Sequence, residues 1–341
     1  MDPLLKRRGF ATLLVEASKV ANKLTNIEFA PDIISRSCRW KEAKYAATSL
    51  CVSPRADRIK VLYNGLPRPK MELSMAKGIS TPFDCAKHLS QLLCDRSVIA
   101  LVNGSPYDMH RPINDDVTLD FIHFKAKANR AFWRSCQVVM AAAVESAFKD
   151  KFRMRLLSFH ETSLQSGSFV ADFRMELNSK SALEGIVNWS PTECELRALS
   201  QVGQIIASNA KPFEVLDTSP EETRNILQDA YRLACLRKEA GSTSSTLYRV
   251  GNYVQVHTKT PMIANSSLVG RFSIVSLRLL GRLAAEYVKP NDSPYQLVYR
   301  AQGVAMPTAF LAHFTTFDVL IRRAKQPNST VADASNYVEP L

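Results

Sequence analysis

Short apolar runs separated by turn residues characterise residues 57–127. The apolar segment 59–63 precedes Asn64-Gly65, which is typical of a strand entering a hairpin turn. Thr81 and Pro82 suit the N-cap and first position of a helix. These signals predict a small α+β module with strands at 59–63, 70–75, 98–102 and 117–122, and the helix between the second and third.

The pattern changes to longer elements over residues 128–290, which we interpret as a second and larger α+β domain. It begins with a segment very rich in Ala and Val, at 131–148, that predicts a helix. Strands are predicted at 169–177, 213–215, 247–250 and 253–258. Further helices are predicted at 194–208, 220–239 and 274–287. Residues 291–326 are expected to form a linker and a last helix at 308–325.

Both ends of the chain differ from these domains. Residues 1–30 combine several Lys and Arg with apolar residues at helical spacing, which is typical of a mitochondrial transit peptide and also of an ordinary surface helix. Residues 31–56 predict a basic helical extension in which Trp40 either stacks on bases or docks on the next domain. Residues 327–341 are polar, and we expect them to be disordered.

Composition narrows the choice of partner. The 44 Lys and Arg exceed the 32 Asp and Glu, which leaves a net charge of +12 and favours polyanionic partners such as RNA. The 7 cysteines include no C-x-x-C pair, which argues against a disulfide framework and a zinc knuckle. No apolar run reaches the length of a membrane span.

Residues 98–125 resemble the end of a TGS domain, the β-grasp module at the N-terminus of threonyl-tRNA synthetases. The pairs that carry this resemblance are Asn103-Gly104, Tyr107-Asp108, Arg111-Pro112 and Thr118-Leu119. The predicted order of strands and helix agrees with a β-grasp fold. The resemblance therefore implies an N-terminal TGS domain at 57–127.

The resemblance continues in order through the rest of the chain. Segments 131–135, 211–214 and 219–222 resemble the start and middle of the synthetase editing domain, and 248–254 and 261–272 resemble the strand and loop that close its site. Residues 299–325 resemble the linker to the class II catalytic core. The implied fold is α+β, a TGS domain followed by an editing-like domain. Since only residues 327–341 follow, we expect no aminoacylation.

The reactive positions of the editing domain are altered. That family places a His-x-x-x-His pair on its first helix, which here falls on Arg134 and Val138. Its second element falls on His257 and on Pro261 or Met262. A guanidinium is too basic to act as a general base near neutral pH, and Val carries no exchangeable proton. We therefore expect no editing, no catalytic residue, no metal, no cofactor and no small-molecule substrate.

The remaining histidines and cysteines give no further catalytic candidate. We expect His110 and His123 to face solvent, and His257 to be a structural histidine. Cys136 lacks an obvious base to activate it as a nucleophile.

A binding function is the alternative to catalysis. Basic residues cluster on the first editing-like helix, the loop after it and the last helix: Arg130, Arg134, Lys149, Lys151, Arg153, Arg155, Arg322, Arg323 and Lys325. Each either contacts RNA phosphates or belongs to a solvated helix face.

The combination of TGS domain, altered editing domain and basic N-terminus is similar to a synthetase-like family of the mitochondrial large ribosomal subunit, and 258–265 carries this likeness further. The resemblance implies a structural protein of the mitochondrial ribosome in the matrix, with large-subunit rRNA and neighbouring ribosomal proteins as partners. A freestanding editing factor and a tRNA-binding regulator are the alternatives.

Overall fold

The computed structural model describes residues 27, 29–51, 57–124, 126–148, 152–161, 163–177, 183–184, 186–187, 189–229, 245–257, 260–288, 295–331 and 337–339. The predicted transit peptide lies outside these residues except for Ile27, Phe29 and Ala30. Lys149 and Lys151 also lie outside them.

The N-terminal domain is a five-stranded sheet with two short helices packed against it. Its elements are β1 (Arg58–Tyr63), β2 (Met71–Ala76), α2 (Pro82–Leu89), α3 (Gln91–Arg96), β3 (Ile99–Val102), β4 (Ser105–Tyr107) and β5 (Val117–Ile122), and a helix α1 (Pro31–Cys51) precedes them. The strand order is β2-β1-β5-β3-β4, with β1 parallel to β5 and the other pairs antiparallel. This confirms the β-grasp prediction and adds β4 to it.

Local sequence signals set the boundaries of these elements. The Thr81 hydroxyl accepts a hydrogen bond from the Asp84 backbone N–H at 3.3 Å, and the Asp84 carboxylate accepts one from the Thr81 N–H at 3.1 Å. This capping box confirms Thr81 as the N-cap. Asn103 and Gly104, between β3 and β4, have positive φ values of 50° and 78°, as a two-residue hairpin turn requires.

The second domain contains one large and one small antiparallel sheet. Its elements are α4 (Ala126–Ala147), β6 (Met154–His160), β7 (Phe169–Glu176), α5 (Glu193–Ser208), β8 (Phe213–Thr218), α6 (Pro220–Leu227), β9 (Ser245–Val250), β10 (Tyr253–Val256), β11 (Val269–Leu283), β12 (Gln296–Pro307), α7 (Phe314–Ala324) and β13 (Val338–Glu339). The large sheet has the order β13-β11-β12-β7-β6, and the small one β10-β9-β8.

Helix α4 forms the centre of the main core. Its residues 138–144 are all fully buried, and they pack in one cluster with side chains of β7, α5 and β11. A helix that is apolar on every side has to be covered on every side, and the Ala and Val side chains let its neighbours approach closely. The Ala- and Val-rich pattern predicted this helix correctly.

Helix α1 lies within the predicted extension 31–56 and docks on the second domain. Trp40 is fully buried in a cluster with α6, β9 and β10. Arg36 donates to the Val254 carbonyl at 3.2 Å, and Arg39 donates to the Ile226 carbonyl at 2.9 and 3.0 Å. A buried indole cannot stack on a base, so docking is the correct interpretation of Trp40, but the partner is the editing-like domain and not the TGS domain that follows the helix in sequence.

The predicted helix at 274–287 is wrong, because residues 269–283 form the strand β11. Ile274 and Leu277 belong to the main core, whereas Val275 packs on the opposite face of the sheet with Phe317. Because both faces of β11 are covered, its apolar residues do not alternate, and a short apolar run without alternation does not distinguish a strand from a helix.

Four further predictions need correction. Residues 291–326 are not a linker, because β12 lies between β11 and β7 within the large sheet, and the last helix begins at Phe314 instead of 308. The predicted helix 220–239 ends at Leu227, and residues 230–244 lie outside the described part. In the tail, expected to be disordered, β13 pairs with β11 and the side chains of Asn328 and Tyr337 are buried.

Candidate functional site

The cleft expected from the editing resemblance lies between α4, the end of β6 and the segment that follows β10. Arg134 on α4 donates to the Thr260 carbonyl at 2.8 Å and pairs with the Glu161 carboxylate at 3.5 Å. Its side chain is 16% exposed. The guanidinium therefore bridges both walls of the cleft, and a phosphate would have to compete with these two partners.

The second expected position on α4, Val138, is fully buried within the main core. Its neighbour Gln137 donates to the carbonyls of His160 and Val170, at 2.6 and 2.9 Å, and so fixes α4 to β6 and β7. Water cannot reach position 138 without opening the core. The position is structural.

The remaining expected positions carry occluded or apolar groups. The His257 side chain is buried, and its ring stacks on Phe159 with centroids 4.8 Å apart. Met262 is buried as well, and its Sδ lies 3.5 Å from the Ser135 hydroxyl. The Ser135 hydroxyl also accepts from the Ile263 N–H at 2.9 Å. At these positions the side chains thus make packing and hydrogen-bond contacts within the domain.

A metal site and a Cys136 nucleophile find little support among the described residues. No group of three or more His, Cys, Asp or Glu side chains there could hold a metal ion. Burial raises the pKa of the Cys136 thiol well above its usual range, so the thiolate needed for nucleophilic attack does not form near neutral pH.

A polar junction joins the TGS domain to the editing-like domain. The buried Asp108 carboxylate accepts from the Tyr248 hydroxyl at 3.0 Å and from the Met262 N–H at 2.8 Å. It also pairs with Arg111 at 3.0 Å, and Arg111 reaches across to Asp217 on β8. Asp108 and Arg111 were recognised only as part of the TGS resemblance, and their role in joining the two domains was missed.

Two histidines of the TGS domain have different surroundings. His110 was expected to face solvent, but its Nε2 lies 2.9 Å from the Ala264 carbonyl in the same junction, and burial lowers its pKa. His123 is exposed as predicted. The difference arises because His110 lies on the loop that meets the editing-like domain.

The predicted RNA-binding side chains differ in their availability. Arg130, Arg153 and Arg322 are exposed. Arg155 pairs with Asp32 on α1, Arg323 donates to the Gln165 carbonyl, and Lys325 pairs with Glu193 at 3.0 Å. Arg134 is engaged within the cleft.

A buried charged cluster on the other face of the large sheet was not predicted. Asp172 on β7 accepts two hydrogen bonds from Arg300 on β12, at 2.7 and 2.8 Å. The Tyr337 hydroxyl and His160 Nε2 also approach Asp172, each at 2.7 Å. Burial raises the pKa of the Asp172 carboxyl, but the hydrogen bonds from Arg300 and His160 outweigh it and lower the pKa to about 2. A lone Asp within an apolar strand was the available signal.

None of the helices among the described residues is long and apolar enough to cross a membrane.

Comparison with known proteins gives two groups of relatives. Residues 56–123 match the TGS domain family. Large ribosomal subunit protein mL39 of Drosophila melanogaster is 35% identical over 282 residues, which cover 80% of this chain and 79% of that protein. The mitochondrial threonine–tRNA ligase of Homo sapiens is 27% identical over 234 residues, which cover 68% of this chain and 29% of the ligase. Threonine–tRNA ligase 2, cytoplasmic, of Bos taurus is 25% identical, with 67% and 28% covered.

Proposed function

We propose that this chain, which belongs to the family of large ribosomal subunit protein mL39, binds large-subunit rRNA and neighbouring ribosomal proteins and has no editing activity. Membership of that family makes the chain a constituent of the large subunit of the mitochondrial ribosome, located in the matrix. It is a ribosomal protein and not an enzyme.

The absence of editing is supported by one observation, the packing of the former reactive positions. Arg134 is held by Thr260 and Glu161, and Val138 and Met262 are buried in the core. Hydrolysis of an ester needs a group that activates water close to the scissile bond. None of these three side chains can take that role near neutral pH.

Binding to rRNA is supported by charge and by exposure. The net charge of +12 favours contact with anionic groups, and in a ribosomal subunit the phosphates of rRNA supply them. Arg130, Arg153 and Arg322 are exposed and can reach phosphates without breaking an ion pair of the fold. Lys149 and Lys151 remain in the same proposal. Arg134, Arg155, Arg323 and Lys325 would have to exchange their present partners.

We also propose that the N-terminal segment directs import and is then removed. The side chains of Ile27 and Phe29 pack against the main core. Cleavage on their N-terminal side preserves these contacts, which favours a cut before Ile27 instead of at residue 30.

The test uses mitochondria that carry a tagged copy of the full chain. The tagged protein should sediment with the large subunit, and ultraviolet crosslinking should recover large-subunit rRNA. In parallel, the purified chain should leave seryl-tRNA(Thr) intact, with an active threonyl-tRNA synthetase as the positive control. Recovery of tRNA in place of rRNA would support a tRNA-binding regulator, and deacylation by the purified chain would support an editing factor.

A further inference from the structure

Exposed large apolar side chains gather on the loop between β12 and α7 and on the first turns of α7. Leu311 is 102% exposed, Phe314 61%, Val319 54% and Phe310 49%. We call Phe310, Leu311 and Phe314 the apolar knob. A contiguous exposed apolar surface on a folded domain is typical of an interaction site.

The backbone of the knob is held in place. The Thr308 N–H donates to the Leu268 carbonyl at 3.0 Å, and the Phe310 N–H donates to the Pro307 carbonyl at 3.1 Å. The His313 ring accepts from the Thr315 N–H at the start of α7 and packs against Phe314 with centroids 4.3 Å apart. The side chains are therefore presented by an ordered loop, and binding them costs little ordering entropy.

The chemistry around the knob selects a protein partner over RNA. Residues 301–317 contain no Asp, Glu, Lys or Arg, in a chain of which 22% is charged. Arg271 reaches the loop, but its guanidinium lies 5.8 Å from the Phe317 ring and donates to the Ala312 carbonyl. RNA grooves place cations between their stacking aromatics, whereas the centre of a protein interface is depleted of charge.

The shape of the knob specifies the partner's surface. The Phe310 ring rests on Phe124 with centroids 5.9 Å apart, whereas Leu311 beside it is fully exposed and projects into solvent. A projecting apolar side chain is buried best in an apolar pocket. We propose that the apolar knob inserts into an apolar pocket on a neighbouring ribosomal protein, and this inference rests on the proposed function. Two convex knobs do not complement each other, which disfavours a second copy of this chain as the occupant.

The experiment places a photo-crosslinking amino acid at position 311 of the tagged full chain, in cells depleted of their own copy. After irradiation, the purified large subunit should contain an adduct that protease removes and ribonuclease does not. Mass spectrometry should assign the adduct to one ribosomal protein. An adduct with RNA, or with a second copy of the chain, would overturn the inference.

Substitution gives an independent measure of the same contact. Leu311→Asp should reduce the fraction of the chain bound to the large subunit by about tenfold, the effect expected for loss of one interface anchor. Leu311→Met should restore binding. The matched control is Leu92→Asp, which alters an exposed leucine of the TGS domain.

The outcomes separate the inference from the proposed function. If the wild-type chain sediments with the large subunit and Leu311→Asp binds equally well, the knob is not an anchor and only the inference fails. If the wild-type chain does not sediment with the large subunit, the proposed function fails and the inference fails with it.

Discussion

The side chain of Gln204 on α5 pairs with the backbone of Phe272 on β11 as a neighbouring strand would. Its amide oxygen accepts from the Phe272 N–H at 3.0 Å, and its amide nitrogen donates to the Gly270 carbonyl at 3.0 Å. One turn earlier, the Ser200 hydroxyl accepts from the Ile274 N–H at 2.8 Å. Side chains of α5 thus pair with backbone N–H and C=O groups on the outer edge of β11 over this stretch. The unpaired backbone groups of an edge strand can otherwise pair with another chain.

Replacement of Gln204 tests this edge. Gln204→Ala should lower the free energy of unfolding by about 2–3 kcal/mol, because two partly buried backbone groups lose their partner. Urea unfolding measures the change. Gln201→Ala, at an exposed position of the same helix, should change it by less than about 0.5 kcal/mol. Equal effects of the two substitutions would contradict the role of Gln204.

The buried pair of Asp172 and Arg300 should dominate the stability of the large sheet. Asp172→Asn removes the carboxylate charge that accepts two hydrogen bonds from the fully buried Arg300 guanidinium, and we expect a loss of about 3–5 kcal/mol at neutral pH. Thermal or urea unfolding measures it. Asp57→Asn, at an exposed position, is the control and should have little effect.

The same carboxyl predicts a pH dependence. Its pKa falls from 3.8 to about 2 on folding, so the folded state is stabilised above pH ~4 and loses that stabilisation as the pH falls towards 2. The contribution is about 2 kcal/mol. Between pH 5 and pH 2 the wild-type chain should therefore lose about 2 kcal/mol more than Asp172→Asn. Parallel pH profiles would show that Asp172 is not the source of this dependence.

The junction at Asp108 should couple the two domains. Asp108→Ala leaves Arg111, the Tyr248 hydroxyl and the Met262 N–H without their shared acceptor, so we expect a loss of several kcal/mol. Calorimetry should resolve two unfolding transitions in the variant and one in the wild type. Asp115→Ala, at an exposed position nearby, should leave the single transition unchanged.

Reversion of the cleft residues should not recover editing. Val138→His places a larger polar ring in the closed core and should cost about 2–4 kcal/mol, while Arg134→His at the partly exposed rim should cost about 1 kcal/mol. Melting temperatures measure both. The double variant should still leave seryl-tRNA(Thr) intact, because position 138 remains closed to water. Measurable deacylation would contradict this account of the cleft.

Exposed arginines should set the salt dependence of rRNA binding. Replacing Arg130, Arg153 and Arg322 together by Gln should reduce the slope of log affinity against log salt concentration by about 0.7–0.9 for each phosphate that the variant no longer neutralises. Filter binding at several salt concentrations measures the slope. Lys60→Gln, on a residue paired with Glu72 in the TGS sheet, should leave it unchanged.

The correct sequence predictions depend on neighbours along the chain. The Thr81 cap, the Asn103-Gly104 turn and the Ala- and Val-rich helix α4 each follow from a few adjacent residues. The order of motifs also identified a TGS domain and an editing-like domain with altered reactive positions.

What the sequence determined by itself was therefore many of the local elements and the fold class, because these follow from residue types at short spacing and from the order of motifs along the chain. Only the tertiary structure decided that 269–283 is a strand, that Arg134 is held by Thr260 and Glu161 and that Leu311 projects from an ordered loop. Gln204 meets Phe272 across 68 positions, and Asp172 meets Arg300 across 128. Contacts between residues so far apart in sequence depend on which faces meet in the packed core, and no short-range sequence pattern predicts them.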